Sequence, residues 1–281
     1  MIKLGDIRIY PIIELECGQL LQSLIIGADK DYVKSIKWLR PHFSDVDGSL
    51  KGVVQAFLIT TPTKNILIDT CNGNGKTRTG ILEWNNLSTK FLSQLEDVGV
   101  NPDEIHYVIN THLHCDHVGW NTSFKNGVWE PTFKNAKYLV VENAYNYWES
   151  KPKNEFIDDL CSFEDSVLPI REAGLLQLVD MDYRLDENIK LIEIPGHTPF
   201  HVGITIEDQN EKAIICGDLF FSPLQIANPS LTTDGEFDSE LIVRSRLGLL
   251  NKIADKGILL LSPHFPKEVY IKKEGNDFTC F

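Results

Sequence analysis

Residues 112–117 read His-Leu-His-Cys-Asp-His, which sets four potential metal ligands, His112, His114, Asp116 and His117, within six residues. Imidazole and carboxylate together suit zinc or a neighbouring transition metal better than calcium or magnesium, whose shells are built from oxygen. A plain solvated turn rarely concentrates three imidazoles and an acid. The approach, Ile105-His106-Tyr107-Val108-Ile109, is β-branched and aromatic, so the cluster is expected on a loop just past a short strand. The strand gives rigidity and the loop can fold round an ion.

The chain holds eight histidines, at 42, 106, 112, 114, 117, 197, 201 and 264. His197 lies in Pro195-Gly196-His197-Thr198-Pro199, directly after the strand-like residues 189–194. Asp218 follows the apolar run 213–217, and His264 follows 258–263. Each candidate therefore ends an apolar strand, which is how an α/β scaffold delivers polar groups to one place. His42 and His106 read as structural.

This pattern resembles the metallo-β-lactamase superfamily, whose motif is His-x-His-x-Asp-His followed by a distant His, Asp and His. All seven positions are filled, by His112, His114, Asp116, His117, His197, Asp218 and His264. The resemblance implies a four-layer αββα sandwich of two mixed sheets with helices outside. It also implies two divalent ions, zinc by preference. His112, His114 and His197 would hold the first, Asp116, His117 and His264 the second, and Asp218 would bridge. Asp116 would also pass a proton to the leaving group, as the catalytic acid. Cys115 would point away from the metals. Asp69, Thr198 and His201 would orient the ligands, and Gly119 would permit a tight helix entry.

The whole chain, 1–281, is expected to be one such domain. Residues 143–179, rich in helix formers and aromatics (Tyr145, Tyr147, Trp148, Phe156, Phe163), look like a helical insertion that could wall the pocket. Other expected elements are a strand over 7–12, a helix over 31–39, and a hairpin of 53–60 with 65–69. Further along come a helix over 87–98 capped by Ser88, a strand over 138–141 and a helix from 239 to 256. The Gly-rich loop 71–76 lacks phosphate-loop spacing and reads as a turn.

The net charge of −13 argues against nucleic acid, which needs a basic stripe. The absence of a bilayer-length apolar run argues against a membrane partner. The first residues lack an apolar signal core, so a cytoplasmic location is expected. None of the six cysteines forms a Cys-x-x-Cys pair, and reduced thiols are expected. The implied partners are a small-molecule substrate and, as an option, a second copy in a homodimer.

Two ions would hold a bridging hydroxide ready near neutral pH, so no Ser or Cys nucleophile is needed. A Gly-x-Ser-x-Gly elbow is missing. Within the superfamily, the stretch from Thr111 to Asn121 and the segment 129–133 resemble the quorum-quenching lactonase and organophosphate-hydrolase branch. That implies hydrolysis of a small ester or lactone of the N-acyl-homoserine lactone type. Aryl esters, phosphotriesters and thioesters are the alternatives within hydrolysis. A mononuclear iron dioxygenase of the persulfide type is an alternative of another class, and a non-catalytic binding module a third. Two positions depart from the lactonase pattern. Phe221 stands where a Tyr is usual, three residues after Asp218, and Phe200 stands where Gly is common. With Trp120, these two are the expected pocket residues.

Overall fold

The computed structural model describes residues 1–151 and 161–281. They form two compact units, one of Met1–Leu15 with Val54–Asp180, the other of Glu16–Val53 with Met181–Phe281.

The first unit carries β1 (Ile2–Leu4), β2 (Ile7–Glu16), β3 (Val53–Thr60), β4 (Asn65–Ile68), β5 (Tyr107–Ile109), β6 (Thr122–Lys125), β7 (Val128–Pro131), β8 (Lys137–Val141) and β9 (Leu176–Val179). Seven of these make one sheet in the order β1-β2-β3-β4-β5-β8-β9, while β6 and β7 pair with each other. β4, β5, β8 and β9 run parallel. Ile66, Leu67, Ile68, Val108, Ile109, Tyr138 and Leu139 are all buried there, the unbroken apolar run of strands covered on both faces. Ile68 sits opposite Ile109, so Asp69 and Asn110 leave the sheet at the same end.

The second unit carries β10 (Ile189–Glu193), β11 (Val202–Asp208), β12 (Glu211–Ile215), β13 (Ile258–Leu261), β14 (Val269–Glu274) and β15 (Asp277–Cys280) as one sheet in chain order. β12 and β13 are parallel, with Ile215 opposite Leu261, so the loops bearing Asp218 and His264 emerge from one end. Leu249, Leu250 and Ile253 of the helix Ser239–Ile253 join Leu219, Phe220, Leu260 and Phe265 in the core of this unit.

Several boundaries differ from expectation for local reasons. The first long strand continues to Glu16 through Pro11, which lies past the end of β1, where that edge needs no ladder donor. The helix expected over 31–39 stops at Ile36, whose ψ of 88° is not helical, and a separate 3₁₀ turn follows over Lys37–Leu39. The helix expected from 87 begins only at Phe91, with Lys90 rather than Ser88 at its cap. Thr89 is held off the helix by Asn74, whose Oδ1 accepts its N–H at 2.7 Å, and by Glu14, which accepts its hydroxyl at 3.0 Å. The late helix starts on an Asp238 cap and ends at Ile253, three residues early. The expected insertion contains the helices Glu142–Glu149 and Leu168–Glu172, but its last residues are β9, a strand of the main sheet. Residues 152–160 of it, including Phe156, lie outside the described residues.

Candidate metal centre

In the first unit, Asp69 is the hub of the motif loop. It follows β4 in a left-handed conformation, φ 56°, which short polar side chains tolerate better than most. Its buried carboxylate accepts Thr111 N at 2.8 Å through Oδ1, and Thr111 Oγ1 at 2.8 Å and His117 Nδ1 at 3.0 Å through Oδ2. Burial pushes this carboxyl up from its ordinary range, while His117 and Thr111 pull against that. Thr111 has its hydroxyl proton committed to Asp69, so it accepts from His112 Nδ1 at 3.0 Å. Both histidines are thereby held with Nε2 as the lone-pair nitrogen. Gly119 opens the 3₁₀ helix Gly119–Asn121 at a close approach: a Cβ there would lie 1.8 Å from the Asn72 carbonyl oxygen. Trp148, from the expected insertion, packs edge-on to His114 with ring centres 5.9 Å apart.

In the second unit, His197, Asp218 and His264 come together. His264 Nδ1 donates to the Val53 carbonyl at 3.0 Å, which fixes its tautomer, and its Nε2 faces the Asp218 carboxylate at 3.2 Å. His197 Nδ1 lies 3.0 Å from Glu236 Oε2, and its Nε2 lies 3.4 Å from Asp218 Oδ2. His201 is a bracket: its Nδ1 donates to Ile194 O at 2.9 Å, and its Nε2 accepts the Asp218 backbone N–H at 3.1 Å. Thr198 is buried beside His197.

Over the described residues, two donor groups result: His112, His114, His197 and Asp218; and Asp116, His117, Asp218 and His264. Within each, one donor atom per residue lies within 4.8 Å of the others. All seven expected ligands are in these groups, Asp218 is in both, and Cys115 is in neither. The donors fit divalent cations on their own chemistry. His117, His197 and His264 each present an Nε2 lone pair to a carboxylate oxygen, at 3.5, 3.4 and 3.2 Å. Acceptor facing acceptor is repulsive, and a cation held by both turns the repulsion into ligation.

Each expected pocket residue has its own surroundings within its unit. Phe221 stacks on His264, ring centres 5.1 Å apart and planes 11° apart, and meets His197 edge-on at 5.4 Å. Phe200 sits at φ 65°, a conformation that glycine adopts without strain and a bulky residue does not. Trp120 lines a cavity of about 510 Å³ with Asn74, Glu96 and Lys134. It stacks on Phe91 and donates its Nε1–H to Glu14 at 2.6 Å. Glu14, Glu236 and Arg246 escaped the sequence reading, because acids in unpatterned loops and an arginine within a helix carry no local signature.

The metallo-beta-lactamase superfamily model matches residues 50–263, well over half of the chain. The chain belongs to the metallo-beta-lactamase superfamily. Its mixed α/β architecture matches the sandwich of that fold, with helical insertions. An N-acyl homoserine lactonase from a Bacillus species is 25% identical over 204 residues, covering 68% of this chain and 73% of the relative. Among solved structures, the beta lactamase superfamily hydrolase AbOPH aligns with a TM-score of 0.80 at 21% identity, over 100% of this chain and 95% of its own. AidC, a dizinc quorum-quenching lactonase in complex with an N-acyl-homoserine product, aligns at 0.78 and 21%, with the same coverage. The donor set is a dinuclear metal-binding geometry, and in this superfamily fold it makes the chain a metal-dependent hydrolase.

Proposed function

We propose that the chain hydrolyses a small ester or lactone of the N-acyl-homoserine lactone type with two zinc ions. The observation that carries this reading is the pair of donor groups sharing Asp218. It favours a dinuclear hydrolase over a one-iron oxygenase, which would need only the first group. The lactonase names of the Bacillus relative and of AidC support the substrate class. We read the whole chain as one catalytic domain, since the family match runs from residue 50 to residue 263.

A pair of divalent ions supplies Lewis acidity to a carbonyl or phosphoryl oxygen and lowers the pKa of water toward neutrality. The chain's part is positioning and proton transfer. His112, His114 and His197 would hold one ion and His117 and His264 with Asp116 the other, Asp218 belonging to both donor groups. Asp69, through Thr111, keeps Nε2 of His112 and His117 as the donor atom. Asp116 would take up the proton that the attacking water gives up and pass it to the departing alkoxide. Phe221, stacked on His264, offers an apolar edge to an acyl or aryl group. That ring favours a second reading, in which activated aryl esters or phosphotriesters are turned over as well as lactones.

The test is metal analysis coupled to a panel of acyl-homoserine lactone, aryl ester, phosphotriester and thioester. Two zinc-like ions per chain with lactone or ester turnover is the expected result. One iron per chain, or two ions with no turnover on any member, would overturn it.

A further inference from the structure

We infer that Glu236 and Arg246 are positioning residues that lock His197 and the Asp218 turn into ligand geometry, a role resting on the reading of those two residues as metal ligands. The side chains of Glu236 and Arg246 are both fully buried and paired, Arg246 Nη2 to Glu236 Oε1 at 3.3 Å. The other carboxylate oxygen of Glu236 lies 3.0 Å from His197 Nδ1. Arg246 Nε donates at 2.6 Å to the carbonyl of Leu219, the residue after Asp218, and Nη1 donates to the carbonyls of Pro229 and Leu231. One ion pair thus grips a candidate ligand on one side and the backbone beside another on the other.

The surrounding backbone makes the same connection. Phe237 N donates to His197 O and Asp238 N to Gly196 O, both at 3.0 Å. Ser245 Oγ donates to Pro195 O at 2.7 Å. Gly196, at φ 130°, lets this strap close: a Cβ there would sit 2.4 Å from Ile242 N. The helix Ser239–Ile253 is therefore fastened to the His197 loop along its first two turns, and Glu236 at its threshold sets the imidazole. Without a carboxylate on Nδ1, His197 is no longer held in the tautomer and ring angle that present Nε2. Loss of such a partner weakens metal binding about 10–100-fold in other histidine sites.

The experiment is chelator competition on the full-length zinc-loaded protein, with melting temperature measured alongside. The double variant Glu236→Leu/Arg246→Met replaces the ion pair by apolar groups of similar volume, an exchange that stability often tolerates. Expected is a loss of about 10–100-fold in the affinity of the equivalent that His197 would help hold, larger than the loss at the other, which shares only Asp218 with it. Glu236→Gln combined with Arg246→Met keeps an acceptor for Nδ1 with no guanidinium facing the amide nitrogen, and is expected to retain more of that affinity than the double apolar variant. In a His197→Ala background, neither Glu236→Gln nor Glu236→Ala should lower affinity further, because the effect acts through His197. A merely structural role would lower the melting temperature and both affinities together, or would persist in the His197→Ala background, and either result overturns the inference. A parent that binds two equivalents with variants unchanged overturns this inference alone. A parent that binds fewer than two overturns the dinuclear reading with it.

Discussion

His117 Nδ1 lies 3.0 Å from Oδ2 of Asp69, a buried carboxylate that also takes both donors of Thr111. Nothing in that arrangement can accept a second donor from residue 69 without a clash. In Asp69→Asn, the amide nitrogen must face either the Thr111 N–H or the side His117 now uses. If it faces His117, the imidazole proton is driven to Nε2 and the donor atom is lost. Expected is a drop of about 10–100-fold in metal affinity, read by chelator competition, with hydrolysis falling in step. Asp69→Asn with unchanged metal affinity would show that the hub does not set the tautomer.

Metal removal should destabilise more than the loss of one ligand set implies. Without a cation, the Nε2 lone pairs of His117, His197 and His264 face carboxylate oxygens within 3.2 to 3.5 Å. Stripping with a chelator is expected to lower the melting temperature. Zinc at about a hundred times its dissociation constant should restore about 2.7 kcal/mol per ion. Calorimetry of stripped and reloaded protein at fixed pH measures it. Equal melting temperatures would mean that the donor groups do not bind zinc.

Asp116→Asn is expected to lower ester or lactone hydrolysis by about two orders of magnitude or more while leaving the fold intact, since ligands act as a unit. Metal content and far-UV circular dichroism run beside the assay separate lost chemistry from lost structure. Activity above about a tenth of the parent's, with both ions bound, would exclude Asp116 from the chemistry.

The members of the two donor groups were legible because a short motif and three strand-end residues announce themselves by type and position. His201 was legible as a neighbour of His197, though its role, accepting the Asp218 N–H, depends on a fold in which β10 and β11 pair. Glu236 was not legible, because it reaches His197 across 39 residues of sequence from a segment with no periodicity. The start of the helix at Phe91 was hidden for a similar reason. The competitor for Thr89 is Glu14, 75 residues away. Local propensity marks strands and motifs, and the long-range polar contacts that trim them leave no trace in a window of sequence.

A buried charge cluster in the first unit gives a pH signature independent of metal. Lys76 and Arg78 both pair with Asp165, at 3.1 and 2.8 Å. Burial, with Arg78 adding to it, pulls the Lys76 ammonium down to about 8 against the Asp165 carboxylate. Between about pH 8 and its unfolded value of 10.5, the unfolded chain holds a proton that the folded chain has released. Stability therefore rises with pH through that window, relative to a Lys76→Met variant, by at most the order of 3 kcal/mol. Urea unfolding of both proteins at the two ends of the window reads the difference. A difference that is flat or falls with pH would place the Lys76 proton elsewhere. Asp165→Ala, which leaves two buried cations unopposed, is expected to cost about 3–5 kcal/mol.

The last prediction concerns Phe221, whose ring lies 5.1 Å from that of His264 in a near-parallel stack. The resemblance to lactonases implies a hydroxyl here that could meet the substrate carbonyl, and Phe has none. Loss of a donor from a site that depends on it costs about 2.7–4 kcal/mol, or 10²–10³ in rate. The parent is therefore expected to be a modest lactonase, with comparable or better turnover of activated aryl esters. Phe221→Tyr adds the hydroxyl at the far edge of a ring already fixed by His264 and His197. It should raise kcat/KM on a long-chain acyl-homoserine lactone by about tenfold or more, and change the aryl ester far less. A parent already near the diffusional ceiling on the lactone would sink this reading, because the missing donor would then be supplied by another residue.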